Sequence, residues 1–222
     1  MKNTFYLLSF LIISLSSCQG NSQTTENTEH SEKQNITPVS VAPVNGLERA
    51  YFASGCFWCV EAIYESVNGV KESISGYSGG HTSNPTYQSS NTGRTGHAEA
   101  VEIIYDPKVV SFATLVDVYF GSQNPTQING QGPDHGSQYR SIIFYQNEEQ
   151  KKIIQEKKEG LSKKLNRRIA AEILPFQKFW KGEAYHQDYE KRNPGNPYIR
   201  NISIPRLKKF QAKFPHLIKK KH

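Results

Sequence analysis

Apolar and polar residues alternate over 48–54 (ERAYFAS), Gly55 interrupts them, and an apolar pattern of helical period follows at once over 59–67 (CVEAIYESV). A strand that feeds a helix through a single glycine fixes much of the local geometry. Cys56, just after the glycine, falls where the unpaired N–H groups of a helix start create positive potential. Only a thiolate is nucleophilic, and a free thiol is mostly protonated at neutral pH, so this position suits a reactive cysteine. Cys59 lies within the first helical turn, facing the same way, where a disulfide is geometrically feasible.

The remaining pattern predicts strands over 70–77 and 98–105, joined by a long polar loop carrying Gly79, Gly80, Pro85, Gly93 and Gly96. Asp106-Pro107 stops the second of these strands, and Ser111 caps a helix to 120 with Phe112, Leu115, Val116 and Tyr119 on its core face. A glycine-rich loop over 121–136 leads to a strand over 138–145, then a charged amphipathic helix over 148–165 that buries Ile153, Ile154 and Leu161, then a strand over 169–174. Asn193-Pro194, Asn196-Pro197 and many aromatics predict a long irregular C-terminal wrap. The order βαβ, βαβ, αβ is that of an α+β fold: a ferredoxin-like split βαβ two-layer sandwich with an extra αβ unit. No internal repeat is visible, and 222 residues with 36% hydrophobic content can fill such a core.

Upstream of this pattern the chain changes character. Lys2 precedes an apolar run over 5–13 broken only by Ser9, and small residues lead to Cys18, which is the layout of a secretory signal over 1–17. The run is too short to span a bilayer. Leu15-Ser16-Ser17-Cys18 resembles a bacterial lipobox, which implies lipidation of Cys18 and a membrane anchor of more than one acyl chain. The alternative is an ordinary cleaved signal with an incidental cysteine. Residues 18–46 are polar with no buried periodicity and read as a flexible tether, leaving 47–206 as the folded domain. Gln19 is not the acidic residue that retains many lipoproteins at the inner membrane, which favours the outer membrane for an exported lipoprotein facing the periplasm or outside.

The net charge of +7 does not signal nucleic acid once its distribution is read. Arg206, Lys208, Lys209, Lys213, Lys219, Lys220 and Lys221 fall in a stretch without acids, so the excess sits at the C-terminus, where 207–222 reads as a solvated basic tail. With 3 cysteines in all, and Cys18 assigned to lipid, thiol chemistry rests on Cys56 and Cys59. A C-x-x-C alone is compatible with zinc ligation, a thioredoxin-like redox pair or a buried structural pair. Zinc is disfavoured, because no second pair exists and the 7 histidines are scattered.

Several further motifs narrow the choice. Gly55-Cys56-Phe57-Trp58, Gly76-Tyr77-Ser78-Gly79-Gly80, Asn84-Pro85-Thr86-Tyr87, Gly96-His97-Ala98-Glu99-Ala100-Val101 with Tyr105-Asp106-Pro107, and Asp134-His135-Gly136-Ser137-Gln138-Tyr139-Arg140 together resemble the A-type peptide methionine sulfoxide reductases, in order and at family spacing over 48–206.

The resemblance implies Cys56 as nucleophile and Glu99 as the acid that protonates the sulfoxide oxygen. It makes Tyr87 and Tyr139 hydroxyl donors to that oxygen, Asp134 a substrate-binding carboxylate, and Phe57 and Trp58 walls of a pocket for the ε-methyl group; His186 matches a family position near the site. On a strand, Glu99 and Val101 share a face, so the carboxyl would be partly desolvated and its pKa raised, as a proton donor needs. Many members of that family place resolving cysteines in a glycine-rich C-terminal segment; none follows Cys59 here, so resemblance to relatives that carry Cys-Phe-Trp-Cys implies Cys59 as resolver, with a single cysteine and an external thiol as the alternative. The implied cycle passes through a Cys56 sulfenic acid and a Cys56–Cys59 disulfide that a thioredoxin-type donor, or dithiothreitol in vitro, restores, with no metal or organic cofactor. The expected substrate is the S epimer of methionine sulfoxide, free or in peptides and exported proteins, and the expected state is a monomer. A general disulfide oxidoreductase and a binding lipoprotein with a static disulfide are the competing readings.

Overall fold

The computed structural model describes residues 36–220, so the signal segment, Cys18 and most of the tether lie outside the described residues. Strand β1 (Glu48–Ala53) follows the alternating run, and helix α1 (Phe57–Glu65) begins at Phe57 rather than Cys59. Strand β2 (Val70–Ser78), the short helix α2 (Tyr87–Ser90) and strand β3 (Ala98–Tyr105) come next, then helix α3 (Phe112–Gly121). A two-stranded hairpin, β4 (Gly130–Gln131) and β5 (Asp134–His135), precedes strand β6 (Ile142–Tyr145), helix α4 (Glu148–Leu165) and strands β7 (Glu172–Pro175) and β8 (Phe179–Lys181). The short helix α5 (Tyr189–Arg192) and helix α6 (Ile204–Lys213) complete the set.

The main sheet runs β7-β6-β1-β3-β2-β8. Its inner strands β6-β1-β3-β2 are antiparallel to one another in turn, with β1–α1–β2 and β3–α3–β6 as the two crossovers, which is the split βαβ arrangement. Helix α4 returns the chain to β7 parallel to β6, the extra αβ unit. At the other edge β8 pairs with β2, an addition hidden in what reads by sequence as irregular wrap.

Alternation sorts the sheet residues. Phe52, Val101, Ile103, Tyr105 and Ile143 meet α1, α3 and α6 in the larger core, while Tyr51, Ala98, Ala100, Ile142 and Phe144 form a smaller cluster on the opposite face under Phe176. Tyr51 stacks on Phe176 with ring centroids 3.8 Å apart. Local caps agree with these placements: the Ser111 hydroxyl accepts from the Thr114 N–H at the start of α3, and Asn147 accepts from Gln150 at the start of α4.

Four expectations need correcting. The strand expected over 138–145 begins only at Ile142, because Ser137–Tyr139 makes a 3-10 turn whose Tyr139 carbonyl accepts the Gly55 N–H at 3.2 Å. The strand expected over 169–174 runs instead over Glu172–Pro175. The last part of the tether is docked: Val39 N–H donates to the Phe176 carbonyl, and Val41 N–H to the Gln146 side chain while its own side chain packs on the smaller cluster. The stretch taken as a solvated tail belongs to the domain. Leu207, Phe210 and Phe214 recur at helical spacing between the lysines, Phe210 is 1% exposed in the larger core, and Ile218 bridges to Val67.

Candidate active site

The site forms where β3 passes the start of α1, and Gly55 makes this approach possible. Its φ is +76°, and a Cβ there would lie 2.5 Å from the Gln131 Cβ, so the corner tolerates no side chain. Cys56 occupies the N-cap position of α1, and the next N–H of the helix, that of Phe57, donates to Glu99 Oε2 at 3.0 Å. A carboxyl on a central strand is thereby held one residue from the thiol.

Glu99 is 2% exposed. Burial pushes its pKa up to about 8, against the hydrogen bond from Phe57, and the charge of Asp134 adds to the rise. At neutral pH Glu99 is therefore mostly a neutral acid, with Oε1 left to carry and donate the proton.

A cavity of about 240 Å³ opens beside these groups, lined by Cys56, Phe57, Trp58, Tyr87, Glu99, Asp134, Tyr139, Asn196 and Tyr198. The nucleophile, acid, hydroxyl, carboxylate and wall residues expected from the sequence thus converge on one hollow. It is not the largest one. A surface hollow of about 720 Å³ beside α4, rimmed by Lys158, Lys163, Arg167 and Arg168, is larger but contains no thiol. Burial raises the pKa of the Tyr87 and Tyr139 phenols, which keeps both as donors across the neutral range.

The wall of the cavity is an aromatic stack. Phe57 lies over Tyr87, and Trp58 stacks on Tyr189 at 3.8 Å and 8°. His186, expected among the substrate contacts, stands behind this wall instead of lining the hollow: it is 1% exposed, its Nδ1 accepts from Trp58 Nε1 at 3.1 Å, and its ring packs on Phe57 and Tyr87. Glu183 extends the support, accepting from the Tyr87 N–H and the Tyr77 hydroxyl.

Cys59, one helical turn from Cys56, is 1% exposed, and each thiol influences the titration of the other. Burial first, then Cys59 and the charge of Glu99, pushes the Cys56 thiol up. Cys59 is shifted down by its coupling to Cys56, against its own burial, with the Arg206 charge assisting. These directions favour Cys59 over Cys56 as the first of the two to lose its proton.

Sequence reasoning missed Tyr198, Asn196, Glu183, Tyr189 and Arg206. Tyr198 bridges the two halves of the site: its hydroxyl donates to Asp134 Oδ2 at 2.6 Å and lies 3.7 Å from Cys59 Sγ. The only hint of these residues in the sequence is the aromatic density around two Asn-Pro breaks. Among the described residues no group of three or more His, Cys, Asp or Glu is arranged to hold a metal ion.

Residues 48–218 match the family model described as "Peptide methionine sulfoxide reductase". The chain is 43% identical over 173 residues to peptide methionine sulfoxide reductase MsrA of Saccharolobus solfataricus, covering 78% of this chain and 98% of that protein. It is 47% identical over 174 residues to the enzyme of the same name from Polynucleobacter asymbioticus, covering 78% and 92%. Reduced Mxr1 of Saccharomyces cerevisiae superimposes with a TM-score of 0.66 at 31% identity, over 72% of this chain and 93% of that one. Methionine sulfoxide reductase A of Corynebacterium diphtheriae gives 0.62 at 33%, over 72% and 83%. With an acid, a thiol pair and an aromatic hollow in one place and this similarity along the whole folded domain, the chain belongs to the A-type peptide methionine sulfoxide reductase family of oxidoreductases.

Proposed function

We propose that this enzyme reduces the S epimer of methionine sulfoxide, free or within exported proteins, by a thiol cycle confined to Cys56 and Cys59. The observation that carries the reading is the meeting of the Cys56 thiol, a protonated Glu99 and two phenols around a hollow with aromatic walls. A sulfoxide oxygen is a poor leaving group unless protonated, and Glu99 is poised to supply that proton while Tyr87 and Tyr139 bind the oxygen. Phe57 and Trp58 receive the methyl group, since aromatic rings meet sulfur and its substituents favourably.

In the first step Cys56 Sγ bonds to the substrate sulfur, its thiol proton passing to the Cys59 thiolate while Glu99 protonates the oxygen. Transfer of the oxygen to Cys56 releases methionine and leaves a sulfenic acid on Cys56. Cys59 then attacks that sulfur, expelling water and forming the disulfide. A thioredoxin-type donor supplies the two electrons that restore the dithiol. His186 holds Trp58 in place and does not touch substrate.

The chain is proposed to work as a monomeric lipoprotein of the outer membrane, anchored through Cys18 and facing outward from the cytoplasm. The signal layout over 1–17 and the polar stretch that follows support this.

The test is turnover of separate S and R sulfoxide peptides by wild type, Cys56→Ser and Cys59→Ser, with dithiothreitol and with thioredoxin. Only the S epimer should react, Cys56→Ser should be inactive, and Cys59→Ser should lose mainly the thioredoxin-supported turnover. Activity in Cys56→Ser, or none with either epimer in wild type, overturns the mechanism.

A further inference from the structure

A second cavity, of about 610 Å³, lies behind Cys59 on the side away from the substrate hollow. Cys59 and Asp134 form part of its inner wall, the loop from Gly121 to Asn124 lines one side, and Arg206, Lys209 and Lys213 of helix α6 line the other. Asp134 also lines the substrate hollow, so the thiol pair and this carboxylate form the partition between two chambers, one reaching each sulfur.

The charge of this chamber is unbalanced. Arg206 donates to neutral acceptors, the carbonyls of Ser122 and Ser54 and the Ser54 hydroxyl, and Lys213 donates to the Gly121 carbonyl and lies over the Phe214 ring. Among the described residues none of the three cations is paired with a carboxylate across a salt bridge. Asp134, the one acid in the lining, is already engaged by the Tyr198 hydroxyl. A cavity of this volume lies within the range of small-molecule sites, roughly 300–1,000 Å³. Cys59, at 1% exposure, borders this space.

We propose that the cavity behind Cys59 is a binding site for a low-molecular-weight thiol carrying carboxylate groups, a second reductant beside the thioredoxin-type donor, which reduces the Cys56–Cys59 disulfide from the side opposite the substrate. The proposal rests on the reading that such a disulfide forms in the cycle. Its carboxylates would sit against Arg206, Lys209 and Lys213, aiming the thiolate at Cys59 Sγ. Attack there forms a bond between the reductant sulfur and Cys59 and breaks the Cys56–Cys59 bond; Cys56 leaves as a thiolate at the α1 N-terminus and takes up a proton. A second molecule of thiol attacks the reductant's sulfur and expels Cys59 as a thiolate beside Arg206. Two thiols thus become one disulfide, and the protein disulfide becomes two thiols.

The geometry also predicts that substrate and reductant need not exclude one another, since their chambers are separate.

The experiment compares steady-state turnover of a sulfoxide peptide with 3-mercaptopropionate and mercaptosuccinate as anionic thiols and 2-mercaptoethanol as the neutral one. Each rate is divided by the same thiol's rate toward a small model disulfide, which removes intrinsic nucleophilicity. The anionic thiols should exceed the neutral one by about 10-fold or more in this ratio at low ionic strength, the scale of electrostatic focusing in a charged cleft, and the advantage should shrink with added salt. Lys209→Glu, and separately Lys209→Glu with Lys213→Glu, should lower the anionic-to-neutral ratio in steps, with the neutral thiol as the internal control in each protein. A ratio near one in wild type, or one that the charge reversals leave unchanged, overturns the proposal. A burst of methionine from pre-reduced enzyme without added thiol keeps the failures apart: no burst sinks the sulfoxide reductase cycle itself, whereas a normal burst with a flat thiol preference sinks only the reductant site.

Discussion

Cys56 and Cys59 share one turn of one helix, yet they face opposite environments. Around Cys56 the ionisable groups besides Cys59 are acids, Glu99 and Asp134, and both disfavour a second negative charge. Around Cys59 the charged neighbour is Arg206, which favours one. A proton-donating site and a site that stabilises thiolate have been built back to back on a dithiol. In the proposed cycle an acid catalyst and a nucleophile make conflicting demands on local potential, because whatever keeps Glu99 protonated also keeps Cys56 protonated. Moving the charge to Cys59, one helical turn away, relieves that conflict without giving up the acid.

The largest break in this contrast is expected from Glu99→Gln. Removing a general acid costs about 10²–10⁴ in rate, so the S-sulfoxide turnover of this variant should fall by that order. In wild type the rate should decline as pH rises through about 8, where Glu99 loses its proton. Stability moves the other way. Because the folded pKa lies above the model value of 4.5, the native state holds a proton that the unfolded chain releases, and stability is lost as pH climbs from about 4.5 through about 8. The Gln variant lacks that loss, so its thermal midpoint should overtake wild type by the widest margin near pH 9. A midpoint difference that does not grow with pH would contradict the buried neutral acid.

Arg206→Met attacks the other side. Its guanidinium makes hydrogen bonds to the Ser54 and Ser122 carbonyls and the Ser54 hydroxyl, tying α6 to the corner before Cys56. Leaving such acceptors without partners costs on the order of 1–3 kcal/mol. The same change should move the thiolate titration of the dithiol upward, followed by ultraviolet thiolate absorbance against pH. Arg206→Lys keeps the charge but not the fork of donors, so it should retain more of the thiolate than of the stability. Equal titration midpoints in wild type and Arg206→Met would show that the two sulfurs do not differ through this cation.

How far this arrangement is readable in advance depends on which side of the dithiol is considered. The Cys56 side is built from β1, α1 and β3, whose periods are clean, and from side chains that sit within recognisable runs, so Cys56, Glu99, Tyr87, Tyr139 and Asp134 are all nameable from the sequence. The Cys59 side is built by residues far along the chain. Tyr198 and Arg206 reach it through a π-helical turn (Ile199–Ser203) and α6, whose apolar stripe of Leu207, Phe210 and Phe214 is masked by lysines in composition. A lysine-rich amphipathic helix and a solvated basic tail have similar composition, and only the burial of Phe210 tells them apart. His186 teaches the same point: a histidine next to an aromatic cluster can be placed near the site by sequence, but not behind its wall.

The smallest expected effect tests the boundary between the two environments. Tyr198 is the one side chain that touches both, donating to Asp134 while lying against Cys59 Sγ. Its hydroxyl serves Asp134 as a charge-assisted donor and so restrains the rise that burial imposes on that carboxyl. Tyr198→Phe keeps the ring, and therefore its edge-on contact with Trp58, but removes the donor. A hydrogen bond to a charged group contributes about 1.5–3 kcal/mol, and with Asp134 partly open to solvent the low end applies. Sulfoxide peptide KM should rise by about 10-fold, the equivalent of that low end, if Asp134 binds substrate as a carboxylate held in place by Tyr198. The rate of disulfide formation, read as the loss of free thiol after one turnover, should change less, because Cys59 retains the Arg206 charge. If the order is reversed, with thiol closure hit harder than KM, Tyr198 belongs to the Cys59 side, and the carboxylate of Asp134 must be held in the substrate hollow by something else.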